Sequence, residues 1–188
     1  DINGTYLRSM NTSGHPYHID GYGNRIAVTM GDHHKVQVFD KNGTLLHTIG
    51  TSASYEDGKF YHNFGLAYNP GGTLHVSGRQ SHRVQSFDHN GSYLNTIGSY
   101  GTRNVDPYDF AITEEGTYLV ADIDGDRVLE FDENGTAKRT ISAKGNLDGE
   151  VNDPRAVAIH QGKIYIADGA NHRVQVFDRN GTFLFKCG

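Results

Sequence analysis

Cysteine is almost absent. Cys187 stands alone in 188 residues, which excludes an intrachain disulfide and any metal site built only from cysteines of one chain. That usage fits a reducing compartment, the cytoplasm first, without excluding secretion. Proline is scarce, with 4 residues against 24 glycines and no run of either, so glycine here serves turns rather than a linker. There is no basic excess: 22 acidic residues outnumber 17 basic ones, for a net charge of −5. A protein that coats nucleic acid through net charge is thereby disfavoured, and only a local basic patch remains open. No apolar run approaches the ~20 residues that a spanning helix needs, and no signal peptide is visible. The chain begins with Asp1 rather than Met, as expected of a processed chain or a piece of a longer one. Gly-X-Ser-X-Gly, His-Glu-X-X-His and P-loop strings are all missing, so no nucleophile is specified together with its base.

What is present is one phrase said four times. It reads HKVQVFDKNGTLLHTIG at 34–50, HRVQSFDHNGSYLNTIG at 82–98, DRVLEFDENGTAKRTIS at 126–142 and HRVQVFDRNGTFLFKCG at 172–188. Its Phe-Asp-X-Asn-Gly centre falls at Phe39, Phe87, Phe131 and Phe177, at intervals of 48, 44 and 46 residues. A period in this range marks a repeat architecture.

Each phrase encodes a hairpin. Apolar residues alternate at period two through the first half (Val36, Val38; Val84; Val128; Val174, Val176), which predicts a strand. Asn-Gly follows at 42–43, 90–91, 134–135 and 180–181, predicting a type I′ turn with positive φ at both residues. A second strand is expected at Leu45–Ile49, Tyr93–Ile97, Ala137–Ile141 and Phe183–Lys186. Two more strands precede each hairpin: an inner one (Phe64–Tyr68, Phe110–Thr113, Val157–His160, with a weak version at Tyr17–Asp20), then Arg25–Thr29, Thr73–Ser77, Thr117–Ala121 and Lys163–Ala167. No useful segment has helical period. Four antiparallel strands every ~45 residues predict an all-β chain of β-propeller blades.

The string Asn171-His172-Arg173-Val174-Gln175-Val176-Phe177-Asp178, preceded by Tyr165-Ile166-Ala167-Asp168, resembles the NHL repeat, and the resemblance runs over essentially the whole chain. It departs where Met30 and Gly78 replace the Asp at 122 and 168, and where Asn63 replaces the Pro at 16, 107 and 154. The expected layout is one NHL-type propeller domain or propeller fragment over 1–188, with blades at about 11–50, 51–98, 99–142 and 143–188. Residues 1–10 form an extra outer strand, because Asp1–Leu7 matches Asp40–Leu46. NHL propellers usually close with six blades, so four blades and a strand imply a fragment, a small ring, or homo-oligomerisation through open blade edges.

The divergent loops share one face, which is where function is expected on a rigid scaffold. His34, His82, Asp126 and His172 recur at one repeat position, and recurrence favours a structural tie between neighbouring blades over a ring of ligands. His15, His62, Asp106 and Asp153 form a second ring, from which a divalent metal ion is the only cofactor expected at all. Amidating lyases with NHL-like folds bind metal near the channel, so the resemblance admits a metal-dependent lyase or hydrolase there. Against that stands the turn-shaping role of His-Pro and Asp-Pro. Asp122, Asp124, Asp126, Asp148, Glu150 and Asp153 predict a solvated acidic rim rather than a calcium loop. On the opposite side Lys35, Lys59, Arg79, Arg83 and Arg103 interleave with Tyr55, Phe60, Tyr61, Tyr100 and Tyr108. Aromatics among cations suit protein hot spots and also single-stranded RNA, which some NHL domains bind. Six Asn-X-Ser/Thr sequons keep an extracellular ligand- or glycan-binding role open; five of them are the Asn-Gly turns themselves. The reading placed first is a non-enzymatic module that binds a protein partner on its loop face, as in tripartite-motif ubiquitin ligases. RNA comes next, and no residue is given a catalytic role.

Overall fold

The computed structural model describes residues 6, 9–97 and 105–188. These residues form four antiparallel four-stranded blades. Blade 1 comprises β1 (Ile19–Tyr22), β2 (Arg25–Met30), β3 (Lys35–Asp40) and β4 (Leu45–Ile49); blade 2 comprises β5 (Asn63–Tyr68), β6 (Leu74–Gly78), β7 (Arg83–Phe87) and β8 (Tyr93–Ile97). Blade 3 comprises β9 (Pro107–Ile112), β10 (Tyr118–Asp122), β11 (Arg127–Phe131) and β12 (Ala137–Lys144), with β13 (Glu150–Val151) added in parallel at its outer edge. Blade 4 comprises β14 (Pro154–His160), β15 (Lys163–Asp168), β16 (Arg173–Asp178) and β17 (Phe183–Cys187). The all-β propeller architecture read from the repeats is the one observed. The extra strand expected over 1–10 and most of the 98–107 connection lie outside the described residues.

Blades pack face to face in chain order. Ala27, Val36, Val38 and Ile49 of blade 1 meet Phe60, Leu66, Leu74, Val76 and Phe87 on the side of blade 2. Leu119, Ala121, Val128 and Ile141 of blade 3 meet Val157, Ile164, Ile166 and Phe177 of blade 4. Period-two strands bury both faces this way, one towards each neighbour. Among the described residues no comparable packing joins blade 4 to blade 1.

The hairpins turn differently from the Asn-Gly expectation. Only the glycines take positive φ (87°, 83°, 81° and 86° at Gly43, Gly91, Gly135 and Gly181). Gly43 N–H donates to Asp40 O at 3.0 Å, and the strand register shifts just before the turn. This is a three-residue loop, a type I turn followed by a glycine bulge. The aspartate of Phe-Asp-X-Asn-Gly selects it: Asp40 Oδ1 accepts from the backbone N–H of Asn42 and of Thr44, both at 2.8 Å. Asp88 and Asp132 repeat the arrangement. These bonds hold the Asp40 and Asp88 carboxyls below the usual range, chiefly through the N–H of Thr44 and of Ser92.

A polar clamp ties each connection to the blade it enters. Gln37, Gln85 and Gln175 accept from the backbone N–H of Ser13, Gly58 and Gly149 at 2.9, 2.8 and 2.9 Å. In blade 4 the fully buried Asp168 accepts from Arg173 Nε at 2.7 Å, from the Asn171 and Gln175 amides at 3.0 Å, and from Asn152 N–H at 2.7 Å. Arg173 then reaches Leu147 O and Glu150 O at 2.7 and 2.8 Å.

Two outcomes follow. Gly181→Ala meets no atom closer than 3.6 Å but sits at φ +86°, so denaturant unfolding should register a loss of about 1–2 kcal/mol from backbone strain alone. His75, buried against Tyr118 with Nδ1 3.3 Å from Oη, is pushed down to about 4 by burial. Its neutral form is the folded one, so its contribution is lost as pH falls from 6.5 towards 4. Asp106, pushed up to about 7 by burial, acts in the opposite sense over that range. Comparing wild type with His75→Gln isolates the histidine: the wild type should lose roughly 2–3 kcal/mol more between pH 7 and pH 4.

Candidate functional site: an aromatic stripe on the loop face

The loop face is held by the first histidine ring, and that ring is structural. His34, His82, Asp126 and His172 all adopt the left-handed conformation, with φ of 48–53°. His34 Nδ1 accepts from His62 N–H at 3.0 Å, His82 Nδ1 pairs with Val105 O at 3.1 Å, and Asp126 Oδ1 accepts from Asp153 N–H at 2.8 Å. Each thus ties its own loop to the connection entering the next blade. The roles differ in sign. His34 accepts, so it carries its proton on Nε2, whereas His82 faces a carbonyl and carries its proton on Nδ1. Asp126 can replace the accepting form but not the donating one.

Over this frame lies a run of touching rings. Tyr55 stacks on Tyr61 (centroids 5.4 Å, 15° apart), Tyr61 on His62 (5.7 Å), His62 on Phe64 (6.5 Å) and Phe64 on Tyr108 (4.6 Å, 21°). Tyr17 meets Phe64 edge-on at 5.0 Å. The guanidinium groups of Arg79 and Arg155 lie 6.0 and 5.8 Å from the Tyr108 ring. Tyr17, Phe64, Tyr108 and Arg155 occupy one repeat position, two residues beyond His15, His62, Asp106 and Asp153. The sequence reading singled out only Tyr108 of these four; aligning that position across the repeats was the signal available for the rest.

The charges around the stripe are matched. Arg79 pairs with Asp106 at 3.3 Å and with Asp124 at 3.4 Å, and Arg155 with Asp153 at 2.8 Å. Tyr17 Oη donates to Asp32 at 3.0 Å, and His15 Nδ1 lies 3.2 Å from the same carboxylate. The bond to His15, then that from Tyr17, lowers the Asp32 pKa. The bond to Asp32 in turn raises that of the Tyr17 phenol.

The remaining expected site residues fall into separate places. Tyr55 is exposed, while Lys35, Lys59 and Tyr61 are half-buried on the loop face. Phe60 does not belong to the surface: it is fully buried, bridges Ala53 and fills the space between blades 1 and 2. Arg83 is likewise 3% exposed, its guanidinium bound to Glu56 O, Lys59 O and Asp57, so it braces the 51–63 connection instead of offering charge to a ligand. Tyr100 and Arg103 lie outside the described residues. The second ring does not assemble. His15 turns to Asp32, His62 to His34, Asp106 to Arg79 and Asp153 to Arg155, and among the described residues no three His, Cys, Asp or Glu side chains stand together to hold a metal ion. The acidic rim forms in part, with Asp124 and Asp148 solvent-exposed. Asp122 is buried against Arg127, Asp126 is bound by Lys144, and Asp148 by Lys186.

The family model of the NHL repeat matches residues 151–177. The Caenorhabditis elegans B-box type zinc finger protein ncl-1 is 46% identical over 43 residues, which is 22% of this chain and 5% of that protein. The Drosophila melanogaster protein brain tumor is 42% identical over 45 residues, 23% of this chain and 4% of that protein. The chain therefore matches only a small part of the length of these relatives. Among solved structures, a streptogramin B lyase superposes with a TM-score of 0.72 at 14% identity, over 95% of this chain and 57% of that one; at such identity the likeness is one of fold alone. Among the described residues no helix is long and apolar enough to cross a membrane. Repeat phrase, blade topology and family match agree: residues 151–177 carry an NHL repeat, within an all-β propeller of four-stranded blades, and the chain resembles the NHL domains of tripartite-motif proteins.

Proposed function

We propose that this propeller is a non-enzymatic recognition module that holds a protein partner against the aromatic stripe of its loop face. The observation that carries the reading is the stripe itself, Tyr55–Tyr61–His62–Phe64–Tyr108, flanked by arginines whose charge is met by Asp124 and Asp153. Contiguous rings with adjacent arginines are the composition of protein hot spots, where apolar area is desolvated and a few side chains carry most of the energy. Paired arginines leave little unopposed charge for a phosphate backbone, whose binding rests on releasing counterions.

The second reading, single-stranded RNA, draws on the exposed Tyr55 ring stacked on Tyr61, since a flat exposed ring accepts any base. A lyase or hydrolase has less support, because the four residues of the second ring turn to separate partners.

Panning the folded chain against a displayed random-peptide library should yield a binder of micromolar affinity or better. Tyr61→Ala with Tyr108→Ala should weaken it tenfold or more, about 1.4 kcal/mol, while circular dichroism reports an intact fold. A selected peptide indifferent to both changes would move the partner surface elsewhere. Anisotropy of a labelled random single-stranded RNA pool should stay flat at low and near-physiological salt; micromolar binding that weakens with salt would put RNA ahead of protein.

A further inference from the structure

Three of the recurring loop residues fasten their own blade to the connection entering the next, and their bonds are not equivalent towards acid. At His34 and Asp126 the side chain accepts: His34 Nδ1 from the N–H of His62 at 3.0 Å, and Asp126 Oδ1 from the N–H of Asp153 at 2.8 Å. At His82 the imidazole donates, from Nδ1 to Val105 O at 3.1 Å. A donating imidazole keeps that N–H when it gains a second proton, and an ionised carboxylate keeps its lone pairs. An accepting imidazole loses its acceptor: protonation puts an N–H on the very nitrogen that receives the bond, and two donors then face each other. Of the three ties, that of His34 is the accepting imidazole.

What hangs from that bond is part of the stripe. His62 sits in the left-handed region at φ 49°, which a residue with a Cβ holds only when its surroundings fix it. Asp153, the receiver of the other accepting tie, is left-handed too, at φ 53°. The His34 ring lies 5.0 Å from that of His62, edge-on, and 5.3 Å from that of Tyr61. It therefore touches two members of the stripe while fixing the backbone of one. The carbonyls of Tyr61 and His62 accept from Gln80 and Arg79 N–H at 3.1 and 2.8 Å, and the His62 N–H is left to His34.

The surroundings of His34 oppose its charge. Partial burial acts most strongly, followed by His62, and His33 adds in the same sense; Asp32 acts against them, and the balance holds the pKa of His34 below the usual imidazole value. The Asp32 carboxylate is already engaged by His15 and Tyr17. Tyr61 is the remaining titratable group against the ring. The folded state thus favours neutral His34, and the stability of its tie is present above pH 6.5 and lost as pH falls from there towards the lower folded value. At Asp126 burial acts to raise the pKa, but Lys144 and the N–H of Asp153 outweigh it and keep the carboxyl below its usual range.

We propose that His34 is an acid-operated latch for the aromatic stripe: neutral, it fixes Tyr61 and His62 in line with Phe64 and Tyr108, and protonated it releases them. The ties at His82 and Asp126 stay closed over the same range. The stripe is continuous at neutral pH and interrupted at His62 in mild acid. The consequence for partner binding rests on the stripe being the partner surface; the latch itself does not.

Amide hydrogen exchange by NMR, at pH 7 and pH 5 and corrected for the intrinsic pH dependence of exchange, reads the latch without any ligand. Protection of the His62 N–H should fall about tenfold or more at pH 5, while that of Asp153, held by Asp126 in the same sample, should not. His34→Asn puts a neutral Oδ1 in place of Nδ1 and tolerates the left-handed backbone, so its protection should change by less than about twofold. His34→Asp, the residue that blade 3 uses, should behave likewise. Wild-type protection of His62 that is unchanged at pH 5 overturns the proposal. So does a loss in His34→Asn or His34→Asp equal to that of wild type, which would place the sensitivity in His62 or His15. A peptide selected on the stripe should bind the wild type about tenfold more weakly at pH 5 and His34→Asn equally at both. Faster exchange with constant peptide affinity would uphold the latch and count against the stripe as the partner surface.

Discussion

Everything on the loop face depends on satisfying the backbone of the connections between blades. A connection of this length runs over the surface with few partners of its own, and backbone groups left unpaired as they become buried cost as much as a lost hydrogen bond. The repeated phrase solves this with side chains from the blade being entered. Gln175 accepts from Gly149 N–H, Asp168 accepts from Asn152 N–H, and Arg173 donates to two carbonyls of the same connection. Asp168 is fully buried, and a buried carboxylate is stable only when paired and bonded; Arg173, Asn171 and Gln175 supply that pairing. The residues that make the phrase recognisable are therefore those that fix the loops in place.

Variation among the repeats shows which parts of the clamp are exchangeable. Blade 3 keeps the aspartate, as Asp122 bonded to Arg127, but replaces the glutamine by Leu129. Blade 2 keeps the glutamine and loses the aspartate to Gly78, and there Arg83 is drawn wholly inside to bond Glu56 O, Lys59 O and Asp57. Blade 1 has Met30 at the aspartate position and retains the glutamine tie from Gln37 to Ser13. With the architecture held by such alternatives, the position two residues beyond His15, His62, Asp106 and Asp153 is left to vary, and it holds Tyr17, Phe64, Tyr108 and Arg155. The stripe runs through the point where that variable position meets the fixed frame.

Much of this was legible in the sequence. Period-two alternation located the hairpin strands to within three residues, because blade strands are buried on both faces and flanked by glycine turns. The recurrence of His34, His82 and Asp126 was enough to indicate a structural tie. Other features were hidden for identifiable reasons. Asn-Gly alone does not distinguish a two-residue from a three-residue loop; the preceding aspartate decides it, by capping the N–H groups of a type I turn. Phe60 sits in a connection without periodicity, so nothing local indicates that it fills the gap between blades 1 and 2. Arg83 reads as a surface cation until the loss of the aspartate at Gly78 is set beside it. The second ring of His15, His62, Asp106 and Asp153 is regular in sequence, but each member finds a different partner in space.

The claim on which the rest stands is that the buried carboxylate and its arginine hold the loop frame as a coupled unit. The direct measurement is a double-mutant cycle of Asp168→Ala and Arg173→Ala, read as unfolding free energy in urea. Buried pairs of this kind are strongly destabilised by loss of one partner, so the account predicts a coupling of about 2 kcal/mol or more, with the second substitution costing far less than the first. Additive losses, with a coupling below about 0.5 kcal/mol, would contradict it and would place the stability of the loop face in the apolar packing alone.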